Sequence, residues 1–243
     1  MKTGQKVGLV TLFVLLVFAV RVYFVWRERN APMVQPHKVA ERQLTQDDVV
    51  LPRKLYIDSL ESAKVLDGKT VWIQSGYTLD YYPYADHRID FAHKSGVLPS
   101  VQPLEIQGFV TQKVPANLAT RLPHGDKQVL AVFKMPNDSK EYATAIAYIQ
   151  GSDSTYYCDQ VFYYDDPHTM YKFWGPKIWA AVDQHTPILG MNELQASMAL
   201  GIVQQSDSSD IGNRSVDYIA GDKKWTVTFQ NDKATAIKQD LIN

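Results

Sequence analysis

Two histidines bracket an aspartate in the string Asp86-His87-Arg88-Ile89-Asp90-Phe91-Ala92-His93. Such side chains can ligate a metal or move protons. On a strand His87 and His93 share a face while Asp90 points the other way; on a helix His87 meets Asp90 and His93 lies near it. Neither arrangement has a compact zinc spacing, such as two histidines four apart. The string reads as an exposed polar loop, and a membrane-bound metal-dependent hydrolase built on His87, Asp90 and His93 is retained as the rival function. A second cluster joins Asp159, Asp165, Asp166 and His168. Paired carboxylates do acid–base work only where burial or mutual repulsion shifts one of them, and Asp165-Asp166 has the simpler reading of a helix start. Cys158 is the sole cysteine, which excludes an intramolecular disulfide, and a small strand residue is the plainer account of it than a nucleophile.

Aromatic density is the more informative signal. Tyr77, Tyr81, Tyr82 and Tyr84 crowd one loop, and Tyr156, Tyr157, Tyr163 and Tyr164 another. Tyrosine joins a flat apolar body to a polar tip and suits protein or glycan contacts, although strands also favour it. Tyr81, Tyr82 and Tyr84, with Arg214, are the expected contact surface. The chain has no Gly-x-Gly-x-x-Gly, phosphate loop, nucleophile elbow or zinc-protease helix, and His124-Gly125-Asp126 reads as a turn. No catalytic residue, metal or cofactor is expected. A formal net charge of −1 argues against a nucleic-acid surface.

The elements that must carry these residues begin with an apolar run from Val7 to Trp26, broken only by Gly8, Thr11 and Arg21. It is long enough to cross a bilayer, Arg21 can reach the headgroups, and Tyr23 and Trp26 suit the interface. No small-residue cleavage site precedes Arg21, so residues 1–29 read as an uncleaved signal anchor, with a cleaved signal peptide as the alternative. Lys2 and Lys6 before the span nearly balance Arg21, Arg27, Arg29 and Glu28, leaving the positive-inside rule neutral.

Residues 30–66 form a linker, with Pro32, Pro36 and Pro52 in an extended tether and a weak amphipathic helix over residues 56–66 ended by Gly68. Residues 67–165 carry the β signals. Val71 and Ile73 alternate with polar neighbours, Gly108 interrupts Leu104, Ile106 and Val110, and Val129 to Phe133 is apolar on both faces, as in a central strand. Five or so short strands suggest a closed or half-open antiparallel barrel. This region resembles bacterial SH3-type barrels in its strand pattern, with no motif of its own to carry the likeness.

Residues 166–243 are the best defined. Asp166-Pro167 is a cap followed by proline at the first helical position. Met170, Trp174, Ile178 and Val182 recur every fourth residue through Gly175-Pro176, implying one kinked helix or two turns sharing a face. Asn192 caps a second helix, Gln195 completes a capping box, Met191, Leu194 and Met198 form its stripe, and Gly201 ends it. Val216 and Tyr218, then Trp225, Val227 and Phe229, then Thr235 and Ile237 alternate around the turn pairs Gly221-Asp222 and Asn231-Asp232, which reads as a three-stranded meander. The pattern Leu189-Gly190-Met191 … Gln195-Ala196 … Leu200-Gly201, a helix before it, Gly212-Asn213-Arg214 and the meander after it together resemble the SmpA/OmlA (BamE-like) outer-membrane assembly lipoprotein module. Members of that family begin with a lipid-bearing cysteine, which this chain lacks, so neither a lipid anchor nor the family's partners carry over.

The expected fold class is therefore α+β: an N-terminal transmembrane helix, a small antiparallel β-barrel-like domain, then two helices packed on a three-stranded antiparallel meander. The expected function is a membrane-anchored, non-enzymatic envelope protein that binds or assembles other proteins. Its anchor is an inner-membrane span, and by analogy with the module its C-terminal body is periplasmic.

Overall fold

The structure is a computed structural model that describes residues 3–29, 44–76, 79–115, 118 and 127–242. The chain divides into two compact units, Met1–Leu44 and Thr45–Asn243. The described residues of the first hold one helix, α1 (Thr3–Arg29), ended by Arg27 and Arg29 where cations oppose the negative end of the helix dipole. Leu15, Leu16, Val17 and Phe18 are consecutive, so they spread around the helix circumference, and each is more than half exposed. Among the described residues, no helix is long and apolar enough to cross a membrane. The tether prolines Pro32 and Pro36 lie outside the described residues.

The second unit is mixed helix and antiparallel sheet. It opens with a short 3₁₀ turn at Asp47–Val49 and then α2 (Leu60–Ala63), capped by Ser59 and Ser62 in a reciprocal box and continued by a 3₁₀ turn to Leu66. The expected amphipathic helix is thus shortened to two turns: Ser59 Oγ accepts from Ser62 N at 3.2 Å at its start, and Ser62 Oγ donates to Asp58 Oδ1 at 3.1 Å just outside it. Nine strands follow: β1 (Thr70–Ile73), β2 (Leu79–Ala85), β3 (Arg88–Ile89), β4 (Gly96–Leu98), β5 (Pro103–Lys113), β6 (Lys127–Lys134), β7 (Glu141–Gln150), β8 (Asp153–Tyr156) and β9 (Phe162–Tyr163). They form one sheet in the order β3-β2-β7-β6-β5-β1-β9, with β4 on β2 and β8 on β7. Among the described residues β3 and β9 do not pair with each other, so the sheet is open along this path.

The expected central strand is central: β6 is buried from Gln128 to Phe133, with β5 and β7 on its two sides. Val129, Ala131 and Phe133 face the main core with Ile73, Leu104, Ile106 and Ile146, and Leu66, Cys158 and Phe162 cover it. Leu130 faces the opposite side, with Tyr82 and Ala143. Gly108 is where the β5–β6 register slips, as its place among the apolar residues implied.

After α3 (Cys158–Val161) and β9 comes the helical segment. Asp166 caps α4 (Pro167–Met170), a 3₁₀ turn spans Lys172–Trp174, and Gly175 at φ 78° separates it from α5 (Pro176–Asp183). The four-residue recurrence survives as a shared direction: Trp174 and Val182 are buried in one core although no continuous helix joins them. A left-handed residue ends a helix rather than kinking it.

The second helix, α6 (Glu193–Leu200), forms as read. Asn192 Oδ1 accepts from Gln195 N at 2.8 Å, and Gln195 Oε1 accepts from Asn192 N at 3.0 Å. It packs between α5 and the second sheet, so it is buried on more than its stripe: Ala196, Ala199 and Leu200 join Met191 and Met198 inside. That sheet has four strands, not three: β10 (Val203–Ser206), β11 (Ser215–Ala220), β12 (Lys223–Gln230) and β13 (Lys233–Leu241), in sequence order. The added strand, Val-Gln-Gln-Ser, has a single apolar residue and no alternation to betray it. Val216, Tyr218, Val227 and Phe229 are fully buried under the helices, and Trp225 is partly buried.

The outer face of this sheet carries an ion pair whose pH behaviour can be checked. Asp217 accepts from Lys224 Nζ at 2.7 Å and from Thr226 Oγ1 at 2.7 Å. These bonds, Lys224's first, hold its carboxyl below the ordinary value of 3.8. A lowered folded-state pKa gives stability that is present above the unfolded value and is lost as pH falls through the folded one. Asp217→Asn should therefore flatten the acid limb of a stability–pH curve below pH 3.8. The exposed lysine limits the effect to under about 1 kcal/mol, measured by urea titration at several pH values.

Candidate functional site

Tyr81, Tyr82 and Tyr84 are not crowded on a loop. They lie on β2, where successive side chains take opposite faces. Tyr81 packs toward the main core, its ring 5.2 Å from Tyr142 and 6.2 Å from Phe133. Tyr82 is 8% exposed and packs edge-on to Phe91 at 5.2 Å, with Tyr84 in the same small cluster. Tyr77 lies outside the described residues, as does His124-Gly125-Asp126.

Arg214 is engaged within the fold. Its Nε donates to both carboxylate oxygens of Glu193 at 3.0 and 3.2 Å, and Nη2 also bonds this carboxylate. Nη1 reaches Ser208 O at 3.1 Å, and Gly212 N donates to Glu193 Oε2 at 3.0 Å. The two side chains are 14% and 9% exposed. Bonding to Glu193 raises the guanidinium's pKa further. The loop is closed on its other side by Asp232 N to Gly212 O at 2.8 Å, and a side chain at Gly212 would meet the Asp232 backbone at 3.2 Å. Gly212-Asn213-Arg214 is thus a latch between the start of α6 and the sheet.

His87 occupies the turn between β2 and β3, with φ 60° after Asp86 at 50°. His93 Nδ1 and Asp90 Oδ2 are 2.7 Å apart, both exposed, and His87 bonds neither. Asp90 also accepts from Ala92 N at 3.1 Å, and the His93 bond is the leading reason its carboxyl titrates low. Among the described residues no three histidine, cysteine, aspartate or glutamate side chains gather to hold a metal.

The second acidic cluster divides into two structural devices. His168 Nδ1 lies 3.0 Å from Asp166 and its Nε2 3.0 Å from Asp183, while the ring stacks on Trp179 at 4.0 Å, tying α4 to the end of α5. Asp159 accepts from Leu55 N at 2.9 Å, Tyr56 N at 2.7 Å and Tyr164 Oη at 2.7 Å. Cys158, beside it, is 1% exposed. Burial first, then the charge of Asp159, pushes its thiol up to about 12. A thiol so placed is no nucleophile near neutrality. Iodoacetamide at pH 8 should leave Cys158 unmodified in the folded chain and alkylate it fully in urea, as read by intact mass.

Asp159 belongs to a feature that the sequence concealed. Residues 45–57 run as a strap pinned along its length. Asp47 accepts from Trp174 Nε1 at 2.6 Å and from the amide of Asn192. Arg53 Nη2 donates to Tyr164 O at 3.0 Å and pairs with Asp165 at 2.9 Å, while Ile57 anchors in the main core. Between these pins Val50 and Leu55 pack against the two cores, while three large apolar side chains turn outward: Val49 is 66% exposed, Leu51 86% and Tyr56 79%. Three exposed apolar side chains on one pinned segment make it a candidate contact surface.

A cleft of about 650 Å³ opens elsewhere on the body, where the segment after β4 faces the end of α6 and the β11–β12 hairpin. Leu98, Leu200, Ile219 and Trp225 line it with Ser100 and His185. Such a volume is in the range of small-molecule sites. Neither the strap nor the cleft has a linear signature, since each is assembled from segments far apart in the chain.

No protein-family model matches the chain, and neither a curated protein nor a solved structure does.

Proposed function

We propose that the chain is a membrane-anchored, non-enzymatic protein of the cell envelope that binds other proteins and acts in their assembly. The apolar run from Val7 to Trp26 is its single-pass inner-membrane anchor. The body is periplasmic, and in it a barrel-like antiparallel sheet precedes a BamE-like module of helices on a meander. The observation that carries this reading is the strap. Val49, Leu51 and Tyr56 stay in water although the backbone that bears them is held by Asp47, Arg53 and Asp159. The titratable clusters that chemistry would need are instead bonded into turns, caps and latches. The rival hydrolase lacks comparable support, because Asp90 and His93 form an exposed pair that His87 does not join.

Two measurements test it. A phosphatase reporter fused after Asn243 should be active only when exported, and a cytoplasmic reporter should be silent there. A photo-crosslinking residue at Leu51 or Tyr56 should capture a discrete envelope protein from intact cells, while the same residue at the exposed Lys238 should capture none. Activity of the cytoplasmic reporter removes the periplasmic placement. Identical crosslinks from strap and control positions remove the contact surface.

A further inference from the structure

The cleft contains the one buried side-chain polar atom without a hydrogen-bond partner among the described residues, Ser100 Oγ. Ser100 is 3% exposed and belongs to the lining of this cleft. The large majority of buried hydroxyls are bonded, and an unpartnered one calls for a water, an ion or a ligand as its partner. The turn that holds it is strained: the next residue, Val101, has φ 63°, a conformation that β-branched side chains avoid. Val101 is kept there by its buried side chain and by its N–H, which donates to Ile73 O at 2.8 Å. The opposite wall is Gly201, where a Cβ would stand in ordinary contact with Ser100 Oγ at 3.6 Å.

His185 also lines this cleft, and its hydrogen placement can be deduced. Nδ1 lies 3.2 Å from Ala199 O, which can only accept, so Nδ1 carries the hydrogen and Nε2 of the neutral ring is left as an acceptor. The rest of the wall is apolar, with Leu98, Leu200, Ile219 and the indole of Trp225. At the rim Asp222 and Lys223 stand side by side, so the cleft favours neither sign of charge. A hydroxyl is the smallest group that can accept from Ser100 and donate to a neutral imidazole.

From these observations we propose that the cleft is a binding site for a neutral, flat apolar molecule carrying a hydroxyl, with its ring system against Trp225 and its hydroxyl at Ser100. This site is separate from the strap and does not rest on the proposed partner binding.

The test uses the full chain in detergent, with the free aqueous concentration of each probe fixed by dialysis. The probes are 2-naphthol and 2-methylnaphthalene, which match in shape and differ by one hydroxyl. Binding is read from the Trp225 indole N–H resonance, assigned with Trp225→Phe. The expected result is that 2-naphthol binds tighter by on the order of fivefold to tenfold, the worth of one good hydrogen bond. Ser100→Ala should abolish that preference by weakening 2-naphthol alone, and should raise the melting temperature of the unliganded chain because an unpaired hydroxyl is gone. Ile219→Trp, at a partly exposed wall position, should fill the cleft and weaken both probes. Equal affinities for the two probes in the unaltered chain overturn the proposal. So does a preference that persists in Ser100→Ala, or binding of both probes unchanged by Ile219→Trp.

Discussion

Arg214→Met is expected to destabilise the chain by about 3–5 kcal/mol, the usual result of breaking a buried ion pair from one side. The reason lies in what remains. Glu193 is buried at 7% exposure, and without the guanidinium its carboxylate keeps only the Gly212 N–H and the positive end of α6. Neither offsets the desolvation of a full charge. Glu193→Met should be costly for the converse reason, although Arg214 can still reach Ser208 O and so loses less. The double variant Glu193→Met with Arg214→Met should recover most of the loss, because two apolar side chains of similar length leave no buried charge. Urea unfolding of the four proteins gives the coupling directly. A single Arg214→Met chain within about 0.5 kcal/mol of the parent, the range of ordinary surface changes, would show that the latch is decorative.

Asp159→Ala should release the strap. Its carboxylate holds three donors, the amides of Leu55 and Tyr56 and the hydroxyl of Tyr164. Bonds to a charged acceptor contribute about 1.5–3 kcal/mol each when both partners are buried, and these are partly exposed, so a total near 3 kcal/mol is expected. The hydroxyl left behind belongs to a residue only 7% exposed. Hydrogen exchange separates this prediction from general destabilisation. The amides of Leu55 and Tyr56 should lose protection by a larger factor than those of β6, and crosslinks from Leu51 and Tyr56 should fall with them. Tyr164→Phe provides the control, since it removes one donor and leaves both amides held. Unchanged protection at Leu55 and Tyr56 in Asp159→Ala would mean that Arg53 and Ile57 alone fix the strap, and Asp159 would then have no part in presenting it.

How much of this could be read from residues alone depended on the range of the interaction. The capping box of Asn192 and Gln195 spans three residues, so its chemistry is complete within the sequence window that reveals it. The turns at Gly221-Asp222 and Asn231-Asp232 were legible for the same reason, as was β6, whose short continuous apolar run between turn signals suits a strand covered on both faces. The tyrosines of β2 illustrate the opposite case. Their crowding was visible, but whether a crowded stretch is a loop or a strand depends on the partner β7 supplies, and pairing separates Tyr81 from Tyr82 and Tyr84. Arg214 looked available because nothing near it in sequence is acidic except Asp210 and Asp217, while its actual partner lies twenty-one residues earlier.

Sequence by itself determined the local frame of this protein: the apolar N-terminal run, the capped α6, the hairpin turns, the alternation of the last strands and the absence of any contiguous catalytic motif. Those properties follow from period, cap and turn chemistry, which act over a few residues. Tertiary structure alone decided which charges are latched, that β10 adds to the meander, that residues 45–57 lie pinned with Leu51 and Tyr56 outward, and that Ser100 meets a cleft without a partner. Each of those depends on segments brought together from up to 145 residues apart, as Asn192 is to Asp47. Burial and pairing at such range are set by the packing of whole elements, which no short window of residues encodes.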